Sequence, residues 1–160
     1  MLLAIVVVSC GGGGGGSGPT APPAIPSVAG SWTGTWSVPG IAFPLTPQFI
    51  IAQSGQSTTG TITVLGVTLQ TTGTVGTDST FQWQAVASGC GSFTGTDSFA
   101  GLAPLTMNGM ATLNTLGCPS SGFESGPVTW SKTGNAEKVA RGRAGNLEDL
   151  LRALRAKAHG

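Results

Sequence analysis

Between Ser31 and Trp130 the chain alternates apolar and polar residues with a period of two, eight times over. Only an extended strand with one buried face has that period. The first run sets Trp32, Gly34, Trp36 and Val38 against Ser31, Thr33, Thr35 and Ser37. Phe49 with Ile51, Ile62 with Val64, and Val67 with Leu69 carry the next three. Phe81 and Trp83 form the fifth, Phe93 and Phe99 the sixth, Met107 to Leu113 the seventh, and Val128 with Trp130 the eighth. Turn-rich pieces such as "SGQS", "GTDS" and "SGCGS" separate the runs, which predicts an antiparallel meander.

An open sheet of eight strands with one apolar face would leave that face in water. Curling it into a barrel buries the face and removes both edges. The expected fold is therefore all-β: an eight-stranded antiparallel up-and-down barrel over residues 29–133, followed by a short C-terminal α-helix, with a sandwich as second choice. Gly30-Ser31-Trp32, at the start of the first strand, resembles the Gly-x-Trp of lipocalins and avidins. Those are up-and-down eight-stranded barrels, and the resemblance implies the same architecture with a small ligand at the mouth.

Eight strands enclose a space that side chains just fill or that holds one small ligand. Trp32, Trp36, Trp83 and Trp130 are candidate binding residues for a small apolar molecule, yet four indoles also suffice to fill the interior. Gly34, Gly60, Gly73, Gly95, Gly109 and Gly126 fall on the apolar parity, and each either admits a neighbouring indole or leaves space. Asp97 completes the candidate set, because it shares parity with Phe93 and Phe99. A carboxylate pointing inward needs a partner or a raised pKa; a bulge near Gly95 would turn it outward, and the outward placement is the expectation.

Charge divides the chain. All seven Lys and Arg lie at or after Lys132, and Asp78, Asp97 and Glu124 are the only charges before it. A domain with no cation to offer phosphates does not bind nucleic acid. A metal site and a cofactor are not expected, since the single histidine is His159 and no ligand cluster can be assembled. Serines and threonines abound, but a nucleophile without a base is not a catalytic site, so no enzyme is expected.

The N-terminus concerns delivery. Leu2 to Val8 is apolar but far shorter than the ~20 residues that span a bilayer. Val7-Val8-Ser9-Cys10 resembles the lipobox of bacterial lipoproteins, which implies a signal peptide over residues 1–9 and a lipidated Cys10. The resemblance places the protein in the bacterial cell envelope, on the periplasmic face or the cell surface, held to the membrane by acyl chains. Residues 10–28 then form a tether: Gly11 to Gly18 behave as a coil spanning roughly 15 Å, and Pro19 to Pro26 extend at about 3 Å per residue.

With Cys10 assigned to lipid, Cys90 and Cys118 remain, and an oxidising compartment lets them pair. In a hairpin of the sixth and seventh runs, opposed residues sum to a constant, which centres the turn on position 104 within "AGLAPL". Such a bridge adds on the order of 3 kcal/mol by constraining the unfolded chain. Residues 134–160 read as a basic helical tail, capped by Asn146, with Leu147, Leu150, Leu151 and Leu154 on one face. It is expected to cover a barrel mouth, pack on a partner, rest on anionic headgroups, or remain an unpacked appendage. The partners expected for the whole are a membrane, through the lipid, and a small hydrophobic ligand or an envelope protein. The alternative is a structural envelope module with a filled core.

Overall fold

The computed structural model describes residues 21–86, 90–119, 121–135 and 143–158. Eight antiparallel strands form the barrel: β1 (Gly30–Trp36), β2 (Gln48–Ser54), β3 (Ser57–Val64), β4 (Val67–Val75), β5 (Thr80–Val86), β6 (Ser92–Phe99), β7 (Thr106–Asn114) and β8 (Phe123–Gly134). Each pairs with its sequence neighbours, and β8 pairs with β1, so the sheet closes on itself. A two-residue strand not foreseen in the sequence, β9 (Arg143–Ala144), adds in parallel to the start of β4. It fills the stretch of β4 that β5 does not reach, since the β4–β5 pairing begins at Gln70. The last element among the described residues is α1 (Leu147–Ala158).

Local chemistry fixes the turns. Between β3 and β4 the loop is Leu65-Gly66, with φ of 50° and 78°, the double left-handed geometry whose twist suits a two-residue hairpin. Pro47 has no N–H for the ladder, and β2 begins just after it. The Pro47 carbonyl still accepts from Gly34 at 2.8 Å.

Alternation places the apolar set inside. Phe49 packs on Phe81, Trp83 and Trp130 at centroid distances of 6.0, 5.3 and 5.5 Å. Phe93 lies between Trp36 at 5.4 Å and Trp83 at 5.1 Å. These contacts form a continuous aromatic column within the barrel.

Both ends are plugged. At the end where β1 starts, Val28 is fully buried, Trp32 Nε1 donates to its carbonyl at 2.8 Å, and its own N–H donates to Gln53 Oε1 at 2.8 Å. At the opposite end, Leu147, Leu150, Leu151 and Leu154 of α1 are buried and belong to the same core as the strands. Burying each such side chain contributes about 2 kcal/mol. Asn146 Oδ1 accepts from the Asp149 N–H at 2.9 Å, and Asp149 Oδ2 accepts from the Asn146 N–H at 3.3 Å, a reciprocal cap. Of the four expected placements of the tail, covering a barrel mouth is the one found. The helix leucines thus share one core with the strands, across the expected boundary at 133.

Candidate functional site

The inner cluster is built by β5, β6 and β8. Asp97 is 1% exposed. Its Oδ2 accepts from Trp83 Nε1 at 2.9 Å and its Oδ1 from Trp130 Nε1 at 3.1 Å. The outward placement of Asp97 is thereby corrected: β6 pairs with both β5 and β7 without a register shift, so parity is kept and no bulge turns the side chain. The signal in the sequence is the indole N–H, a donor present on the inner parity of β5, beside β6, and of β8, two strands away. Burial pushes the Asp97 carboxyl up to about 6, while the two indole donors pull the other way.

Each member of this trio has a glycine across from it. Gly95 pairs with Trp83, Gly34 with Trp130 and Gly109 with Asp97. A Cβ at Gly95 would stand 2.3 Å from the Trp83 ring, one at Gly34 2.6 Å from the Trp130 ring, and one at Gly109 2.5 Å from Asp97 Oδ1. A Cβ at Gly60, Gly73 or Gly126 would likewise meet backbone oxygen within 2.5 Å. All six inner glycines therefore admit neighbours, and none leaves a void.

The other candidate residues are placed apart from the trio. Trp32 closes the β1 end, with Lys132 Nζ 5.5 Å from its ring centroid. Trp36 packs on Phe93, and its Nε1 is buried without a hydrogen-bond partner among the described residues. The five candidates are thus all interior, and three of them meet. Cys90 and Cys118 form a disulfide with a Cα–Cα distance of 5.6 Å. The β6–β7 register pairs Phe99 with Met107 and Ser92 with Asn114, which centres the turn on 103 rather than 104. The cysteines are bridged from the loops beyond the strand ends. Cys10 and the tether up to residue 20 lie outside the described residues.

The sequence alone does not single out the outer wall of β3 to β6. A groove of about 600 Å³ crosses it, and no charged residue lines it. Thr59, Thr72, Gln84 and Thr94 form one bank, each paired in register with the next. Ser57, Thr74, Gln82 and Thr96 form the other in the same way. Thr58, Gly73, Trp83 and Gly95, one from each strand, lie between the two banks.

Among the described residues no group of three His, Cys, Asp or Glu side chains is placed to hold a metal, and no helix is long and apolar enough to cross a membrane. The fold defines the class: a closed up-and-down β-barrel with an aromatic interior. Compared with protein-family models, curated proteins and solved structures, the chain matches none.

Proposed function

We propose that this protein is a lipid-anchored, non-catalytic module of the bacterial cell envelope, whose barrel is a solid scaffold that engages a partner through its outer surface. The observation that carries the scaffold reading is the interior: Trp36, Phe93, Trp83, Phe49 and Trp130 pack in succession, with Val28 and the α1 leucines plugging the ends. Polar capacity inside is largely spent as well, since both Asp97 oxygens accept indole N–H groups. A small apolar ligand would have to displace those side chains from contacts that stabilise the fold, so the alternative of a filled structural core merges with the binding reading and moves its site outside.

The anchor rests on Val7-Val8-Ser9-Cys10 and on the glycine run behind it. Acyl chains at ~0.8 kcal/mol per buried CH₂ hold a protein stably when two or more are present. Metabolic labelling with radioactive palmitate, followed by membrane fractionation, tests this. The wild-type chain is expected to take up label and sediment with membranes, and Cys10→Ala to do neither. Equal labelling of the two chains overturns the anchor.

A further inference from the structure

We propose that the groove on the outer wall of β3 to β6 binds a neutral, polyhydroxylated chain, an extended glycan lying across the strands. The inference rests on the scaffold reading of the barrel, which leaves the outer surface as the place of recognition, and is independent of the anchor.

Three observations carry it. The first is commitment of hydroxyls. Some hydroxyls elsewhere on the wall pair with each other, Thr63 with Thr68 at 2.8 Å and Thr112 with Ser125 at 2.8 Å, or with neighbouring groups, as Thr80 Oγ1 does with Asp78 at 2.6 Å. Thr35 and Thr129, outside the groove, do not pair in this way among the described residues. Within the groove none of the eight bank side chains is hydrogen-bonded to another group among the described residues. Six hydroxyls and two carboxamides therefore stand ready, and each can both donate and accept.

The second is spacing. Strand pairing sets the members of each bank at about 4.8 Å intervals and the two banks about 7 Å apart, so four strands present a double row roughly 14 Å long. A rod bearing hydroxyls on both edges can meet both rows, whereas a compact molecule can meet only part of them. The third is charge. Before Lys132 the chain has no cation, and its only anions are Asp78, Asp97 and Glu124. None of the three lines the groove, so nothing there selects an ionic polymer. An extended peptide fits less well, because all eight barrel strands are paired on both sides and the banks offer no apolar pocket for alternate side chains.

Affinity electrophoresis of the full chain tests the proposal, in native gels containing hydroxyethylcellulose, laminarin, dextran or mannan, with polygalacturonate as the acidic counterpart. Retardation is expected in at least one neutral glycan and not in polygalacturonate. The double variant T72V/T94V keeps side-chain shape and strand preference while removing one hydroxyl from each of two strands, and is expected to weaken retardation about tenfold. T35V/T129V, a cross-strand pair on the opposite wall, is expected to behave as wild type. Circular dichroism confirms that both variants fold. No retardation by any neutral glycan overturns the proposal, as does equal loss in the two double variants or retardation by polygalacturonate alone. Equal palmitate labelling of wild type and Cys10→Ala, which overturns the anchor, leaves every one of these outcomes unchanged, so the two readings fail separately.

Discussion

Gly95 and Trp83 face each other across β5 and β6, and the indole occupies the space that a side chain at position 95 would need, at 2.3 Å. The contact is with a ring fixed by Asp97 and by Phe93 at its edge, so the neighbour cannot swing away. Overpacking of this kind costs typically 1 to 3 kcal/mol. Gly95→Ala is therefore expected to lower unfolding free energy by about 2 kcal/mol in urea titration. Gly134→Ala is the control: a Cβ there meets nothing within 4 Å, and a change under about 0.5 kcal/mol is expected. Equal effects at the two positions would count against the tight fit.

The buried carboxylate makes stability depend on pH. Asp97 holds its proton more tightly in the folded chain, at about 6, than an aspartate does at its ordinary value of 3.8. Its contribution is fully present below the unfolded value and is lost as pH rises through about 6. A difference of that size corresponds to roughly 3 kcal/mol. The midpoint of thermal unfolding is expected to fall between about pH 4 and about pH 7 and to change little above that. Asp97→Asn abolishes the titration, so its profile should be flat over the same window; a wild-type profile that is already flat would overturn the raised pKa.

Removing part of the helical plug should be felt by the barrel. Leu151 is fully buried, and its methyl groups lie against Gly122 in the β7–β8 loop. Leu151→Ala is expected to cost about 2 to 4 kcal/mol and to raise binding of an apolar dye such as anilinonaphthalene sulfonate. A helix independent of the barrel would give a negligible change in both measurements.

Trp32 closes the other end, and the same logic applies. Trp32→Ala removes a fully buried indole and the 2.8 Å hydrogen bond to Val28. The expected loss is about 3 to 5 kcal/mol by denaturant unfolding.

The disulfide contributes through the unfolded chain. Its cysteines are 28 residues apart, and replacing both with serine is expected to lower stability on the order of 3 kcal/mol. Intact mass before and after reduction checks the pairing: a two-dalton gain is expected for wild type and none for the double variant.

Eight strands, their alternation and their closure are legible in the sequence because Phe, Trp, Ile and Leu recur at every second position against Thr, Ser and Gln. The helix is legible from Leu147, Leu150, Leu151 and Leu154, and its destination becomes visible only where the hairpin at Leu65 and the loop at Gly122 meet it. Asp97 escapes the sequence for a different reason. Its parity is plain, but no charged group stands near it to pair with, and the satisfying groups are neutral N–H donors 14 and 33 residues away. The groove is illegible in sequence, since Thr72, Gln84 and Thr94 look like any solvated strand face until register lays them side by side.

The segment before β1 is clipped by Gln53, which donates to the Pro26 carbonyl at 2.7 Å and accepts from Val28, and β1 is flanked by β2 on one side and β8 on the other. A pull on that segment directed along β1 would act on strands that tilt only partly from the barrel axis. Such a pull would load both ladders in shear, with their rungs sharing the force, whereas a sideways pull would break them one at a time. Under the proposed anchor, this joint would resist drag, and the proposed site on the wall of β3 to β6 would stay intact while the molecule is pulled.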